Sequence, residues 1–272
     1  EIELINLELP ILEEGDQINT IALYFKNDID ASIHLKIPQE PSNYPRISGK
    51  TWLCIGDSIT AGVGGFSYEY QAQRYIPTLK FYNIATSGAS VCDNSVSPRA
   101  WATFAQQQIN NKNYFPDYID LITIALGVND RKPETVIGTL TDIASDTNNT
   151  FYARYKHLIV TLMIRYPFAD IVLITPFRTS ENPYIKSWGT DPNKFSALDL
   201  AKAVKGIGEY FNLHVIDLMS GGGGFYPAKR DDLPRLQNDR WDKFTVDSLH
   251  PNDVGHYYLM KRILGELEKD LL

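Results

Sequence analysis

Five short apolar runs, separated by stretches with the 3.6-residue period of helices, constrain this chain more than any other feature. The runs lie at 51–56, 80–85, 119–126, 170–175 and 213–218. Three of them are nearly continuous apolar segments, the pattern of parallel strands covered on both faces. Helical stretches fall between them at about 66–76, 98–109, 150–166 and 196–211, and another closes the chain at 253–271. In the stretch at 150–166, Tyr152, Tyr155, Leu158, Ile159, Leu162 and Met163 keep helical spacing. Strands alternating with helices predict an α/β fold with a parallel sheet and right-handed crossovers.

Residues 1–48 break this rhythm. Segments 18–25 and 31–37 read as strands, the second with clean polar–apolar alternation, and Pro38, Pro41 and Pro45 punctuate the segment up to residue 48. The expected organisation is a small β-rich N-terminal appendage and linker over 1–48, then one α/β domain over 49–272. A chain of 272 residues is long enough for a core that needs no staples. Its two cysteines, Cys54 and Cys92, make neither a disulfide framework nor a metal cluster. The net charge of −7 argues against a nucleic-acid partner, which requires clustered Lys and Arg. No run approaches the ~18 apolar residues of a membrane span. The N-terminus lacks both Met and a basic-then-apolar leader, so the chain reads as a trimmed or mature fragment.

Four polar stretches stand where chemistry is placed in such folds. Gly56-Asp57-Ser58-Ile59-Thr60 follows the first run, Asn83 to Ser90 the second, and Gly127-Val128-Asn129-Asp130 the third. Asp247-Ser248-Leu249-His250-Pro251 precedes the closing helix. The C-terminal ends of parallel strands share one edge of the sheet, so Ser58, Gly88 and Asn129 are expected at one crevice, with His250 reaching it from its loop. Each residue type has a task in acyl transfer. A serine hydroxyl becomes a nucleophile when a neutral imidazole takes its proton. Asp247, three residues before His250, can hold the ring in the correct tautomer. The N–H groups of Ser58 and Gly88 and the amide of Asn129 can bind an oxyanion. Taken singly, each stretch also reads as ordinary structure: a Gly-Asp-Ser turn, a turn glycine, a capped turn, or a capped loop with Asn252 or Asp253 heading the last helix. Their succession along one α/β chain favours the chemical reading. His256, six residues on, has neither the spacing nor the companions of a zinc ligand with His250.

These four stretches, in this order, resemble the blocks of the SGNH hydrolase superfamily, the GDSL esterases and lipases. The resemblance spans residues 51–271, with Ala85 standing where the second block often has glycine. It implies a flavodoxin-like three-layer α/β/α sandwich with strand order 2-1-3-4-5, and a Ser-His-Asp ester hydrolase that uses no metal or other cofactor. By this carry-over Ser58 is the nucleophile, His250 the base and Asp247 its orienter, with Ser58, Gly88 and Asn129 forming the oxyanion hole. The superfamily includes carbohydrate O-acetylesterases, lysophospholipases, thioesterases and arylesterases.

The acidic chain and its 16 tyrosines favour a polar substrate; Phe225, Tyr226, Arg230, Arg235, Arg240 and Trp241 of the long loop at 219–246 read equally as aromatic platforms beside a sugar-binding cleft and as tethers of the loop itself. The expected substrate is an acetylated glycan or other small ester. The alternatives are a lipase, lysophospholipase or thioesterase acting on longer chains, and, in another class, a non-catalytic glycan-binding or structural module. The N-terminal appendage resembles accessory pieces of extracellular carbohydrate esterases and phage tail modules, which implies an extracellular, cell-surface or virion-associated setting.

Overall fold

The computed structural model describes residues 44–95, 97–131, 135–145, 148–177, 195–220, 244–247 and 249–270, all within one compact unit, Pro41–Leu272. The strands expected at 18–25 and 31–37 lie outside the described residues, as do the six named side chains of the long loop. The described strands are β1 (Thr51–Gly56), β2 (Lys80–Asn83), β3 (Leu121–Ala125), β4 (Asp170–Ile174) and β5 (His214–Ile216). The helices are α1 (Tyr68–Tyr75), α2 (Trp101–Gln108), α3 (Phe151–Arg165), α4 (Ala197–Phe211) and α5 (Asp253–Asp270). Every strand pair is parallel and the order is β2-β1-β3-β4-β5, the flavodoxin-like arrangement.

Alternation along the strands builds two cores. Leu53 and Ile55 of β1, Ile122 and Ile124 of β3, and Ile171 and Leu173 of β4 face a layer containing Trp101, Leu158, Leu162, Leu200 and Val204 from α2, α3 and α4. Trp52 and Cys54, then Val172 and Ile174, face the opposite layer, where Tyr68 and Ala72 of α1 meet Leu259, Ile263, Leu264 and Leu267 of α5. The three central strands β1, β3 and β4 are therefore covered on both faces, which is why they are nearly continuous apolar runs, whereas β2 at the edge stays exposed or half-buried along its length. The indole N–H of Trp52 is satisfied inside the sheet by Thr123 Oγ1 at 2.9 Å. Cys54 and Cys92 are both free and buried, and they belong to cores on opposite faces of the sheet.

Local chemistry sets the element ends. Strand β2 ends at Asn83, two residues before the sequence pattern does; beyond it Asn83 Oδ1 accepts the Ala85 N–H at 3.0 Å while the Ile84 and Thr86 N–H groups still donate to Cys54 O and Gly56 O at 3.1 and 3.2 Å. Helix α3 starts at Thr150, whose hydroxyl accepts the Ala153 N–H, and α4 starts with a capping box between Ser196 and Asp199. Helix α4 ends on Asn212 in the left-handed conformation, a role asparagine fills more readily than most residues. At the head of α5, Asn252 Oδ1 accepts the Gly255 N–H at 3.0 Å. Residues 44–48, expected as linker, pack onto α5. Ile47 is fully buried, and the N–H groups of Arg46 and Ile47 donate to the Glu268 carboxylate. No helix among the described residues is long and apolar enough to cross a membrane.

Candidate active site

The turn after β1 presents Ser58. A Cβ at Gly56 would lie 2.2 Å from Thr60 Oγ1, so only glycine lets the chain turn here with Thr60 packed beneath it. The turn is closed by the Ala61 N–H on Asp57 O (2.9 Å) and the Val63 N–H on Ser58 O (2.9 Å). Turns continue from Ser58 to Gly64, and α1 begins at Tyr68, inside the helical stretch expected at 66–76. Asp57 points inward, accepting the Ile59 N–H at 3.0 Å. Burial pushes its carboxyl up to about 6, against the opposing pull of the Ile59 N–H and His250.

The His250 loop is pinned to this turn by a glycine pair. A Cβ on Gly64 would lie 2.7 Å from Pro251 O, and one on Gly65 would lie 2.6 Å from Asp253 N. Gly64 also has φ +97°, in the region that favours glycine. The Phe66 N–H donates to Asp253 Oδ1 at 2.6 Å, and Gln71 Nε2 bridges Phe66 O and Asp253 O, both at 3.0 Å. The loop closes on itself through Val246 N–H to His250 O and Asn252 N–H to Phe244 O, both 2.9 Å.

Within it, Asp247 uses both oxygens. Oδ1 accepts the backbone N–H of Leu249 (3.1 Å) and of His250 (2.7 Å), which leaves Oδ2 to meet His250 Nδ1 at 2.6 Å. Burial would raise this carboxyl, but the hydrogen bonds from His250 and Leu249 outweigh it and hold it below the usual aspartate range. An ionised carboxylate only accepts, so Nδ1 carries the ring proton and Nε2 is left as an acceptor. Nε2 lies 2.9 Å from Ser58 Oγ. The geometry thus joins Ser58, His250 and Asp247 in one relay across 192 positions of sequence.

The other two expected residues come from adjacent strand exits. Gly88 has φ +76°, and Asn129 sits in a 3-10 turn, Val128–Asp130, that follows β3. Asn129 Nδ2 donates to Ala89 O at 3.0 Å. An amide nitrogen has two hydrogens, so one remains for a ligand. His256 is fully buried in α5, where burial lowers it to about 4 and keeps it neutral. Among the described residues no group of three or more His, Cys, Asp or Glu side chains is placed to hold a metal ion.

Two buried carboxylates escaped the sequence reading. Asp130 accepts backbone N–H groups from Val91 and Cys92, and burial pushes it up to about 7. Glu69 stands in the first turn of α1, a position where acids are commonly solvated. It is fully buried and bonded to Asn83 Nδ2, which also donates to Thr60 O at 2.7 Å, behind the Ser58 turn. Burial pushes Glu69 from 4.5 up to about 8. Folding therefore favours its protonated form. That contribution is complete below the unfolded value and is lost as pH rises through about 8. Glu69→Gln mimics the protonated acid without titrating. The expected result is a stability–pH curve between pH ~5 and ~8 that falls less steeply than wild type by up to about 1.4 kcal/mol per unit, the linkage of one proton. Urea unfolding at several pH values checks it, and identical slopes would contradict the protonated assignment.

Comparison with known proteins gives the family and the fold. The family described as GDSL-like lipase/acylhydrolase matches residues 54–258. Among solved structures, a protein from Lactobacillus plantarum superposes with TM-score 0.63 at 19% identity, covering 83% of this chain and 100% of that one. A structure described as a possible lipase from Chitinophaga pinensis gives 0.60 at 22% identity, covering 81% and 98%. A variant of an acetyl xylan esterase from Geobacillus stearothermophilus gives 0.51 at 19% identity, covering 84% and 99%. No curated relative matches the chain in sequence.

Proposed function

Because the chain belongs to the GDSL-like lipase/acylhydrolase family, we propose that it is a serine carboxylic ester hydrolase that removes short acyl groups, acetyl above all, from a glycan. The observation that carries the catalytic half of this reading is the continuous relay from Ser58 Oγ through His250 to Asp247, at 2.9 and 2.6 Å. His250 Nε2 takes the hydroxyl proton as Ser58 Oγ bonds to the ester carbonyl carbon. The resulting oxyanion lies against the N–H groups of Ser58 and Gly88 and the free amide hydrogen of Asn129. Collapse expels the alcohol, which takes the proton from His250. Water then attacks the acyl-serine by the same route and releases the carboxylic acid and free Ser58. Asp247 stabilises the transient imidazolium.

The substrate half rests on the acidic, tyrosine-rich composition and on the likeness to an acetyl xylan esterase. Hydrolysis of p-nitrophenyl acetate well above the octanoate ester, and acetate release from acetylated polysaccharides, are the expected results. A longer-chain acyl substrate is the second reading, favoured by the exposed apolar residues Val63, Phe66, Val246 and Val254 around the His250 loop. Preference for octanoate would establish it. A protein that turns over no short-chain ester would instead support a binding module.

For Asn129→Ala, kcat is expected to fall by about 10²–10³, the usual cost of one oxyanion donor, with little change in melting temperature. Steady-state kinetics and a thermal scan check both, and a normal kcat would remove Asn129 from the hole.

A further inference from the structure

We propose that Asp130 is the positioning residue of the oxyanion hole, acting through the loop that carries Gly88. The inference rests on the esterase reading above. In a 3-10 turn successive side chains point about 120° apart, so Asn129 and Asp130 cannot face the same way. Asn129 stays half-exposed at the strand edge, while Asp130 is fully buried. Both nevertheless grip one stretch of backbone. Asn129 holds the carbonyl of Ala89 at 3.0 Å. Asp130 Oδ1 accepts the Val91 N–H (3.0 Å) and the Cys92 N–H (2.9 Å), and Oδ2 also accepts the Val91 N–H at 3.0 Å.

The hole needs two donors from separate strand exits, the Gly88 N–H and the Asn129 amide, at a fixed spacing. The paired grip sets that spacing, because the residue that offers the amide and its neighbour hold the loop that offers the N–H. A carboxylate suits the task better than an amide. Two N–H groups converge on it, and a carboxylate accepts from both without turning an N–H toward either. The same loop is fastened independently, through Ser90 N–H to Arg99 O (3.0 Å) and Trp101 N–H to Ser90 O (2.8 Å). Loss of Asp130 should therefore displace the Gly88 N–H without releasing the whole loop. Donors aimed at an oxyanion act mainly in the transition state, so the displacement should appear in kcat and not in KM.

The test compares wild type, Asp130→Asn, Asp130→Ala, Asn129→Ala and the Asn129→Ala/Asp130→Ala double variant on p-nitrophenyl acetate. Each kcat is normalised by end-point titration with a fluorophosphonate, so a partly unfolded sample does not imitate the effect. The expected losses in kcat are about tenfold for Asp130→Asn, which keeps one acceptor oxygen, and about a hundredfold for Asp130→Ala, with KM within about twofold. Because both side chains serve one hole, the double variant should fall within about threefold of Asn129→Ala alone. Should Asp130→Ala not fold, Asp130→Asn decides. A kcat near wild type, a loss carried by KM, or multiplicative losses in the double variant would each overturn the inference and leave the esterase reading standing. A wild type that hydrolyses no ester overturns both.

Discussion

Replacing Ser58 by alanine should abolish ester turnover while the fold persists. The residue is 6% exposed, and the bond to His250 Nε2 is the one hydrogen bond its hydroxyl makes among the described residues. Its loss therefore leaves no buried donor or acceptor stranded in the core. The consequence for chemistry is far larger. Without Oγ no acyl-serine forms, and the reaction falls back on unassisted water held near the oxyanion donors. If Ser58, His250 and Asp247 act as the proposed triad, removing the nucleophile costs on the order of 10⁶ in kcat, a magnitude established for subtilisin. Steady-state assays on p-nitrophenyl acetate with circular dichroism measure the two halves of the expectation. An alanine variant retaining a tenth of the wild-type rate would show that another group carries the acyl.

His250→Ala should fall nearly as far. The imidazole is the sole described group bonded to Ser58 Oγ, and at neutral pH an unassisted serine hydroxyl keeps its proton. The loss should again be on the order of 10⁶, and the Ser58→Ala/His250→Ala double variant should be no slower than either single one, because residues that act as a unit do not add. The remainder, about 10³–10⁴ above the uncatalysed rate, would belong to the oxyanion donors and substrate binding. An additive double variant, or a His250→Ala enzyme of normal rate, would detach the ring from the mechanism. The backbone should tolerate the change. The loop is held by Asp247 Oδ1 on the Leu249 and His250 N–H groups, and by the Val246 and Asn252 N–H bonds, none of which needs the imidazole.

Much of the architecture was legible because parallel strands covered on both faces must be apolar along their length, and the runs at 51–56, 121–125 and 170–174 say so directly. The residues brought to one edge were legible for a related reason. Strand exits share that edge, which is why Ser58, Gly88 and Asn129 are expected at one crevice, and the three-residue interval from Asp247 to His250 fits one turn whose carboxylate serves backbone and ring together. The features that stayed hidden depend on partners far away in sequence. Gly64 and Gly65 look like turn glycines until Pro251 and Asp253 arrive against them, more than 180 positions later. Glu69 looks like a helix-start acid until Asn83 and the Ser58 turn enclose it. Asp130 looks like a polar turn residue until the Val91 and Cys92 N–H groups, 39 and 38 positions away, converge on it. In each case the side chain's type is visible in the sequence, but its burial is not.

The whole mechanism depends on acylation of Ser58 under activation by His250. Treatment with a fluorophosphonate, followed by mass mapping of the labelled peptide, reads that step itself. The expected result is one adduct per chain, on Ser58, lost in His250→Ala at matched exposure. An adduct on another residue, or full ester turnover with Ser58 unlabelled, would contradict it.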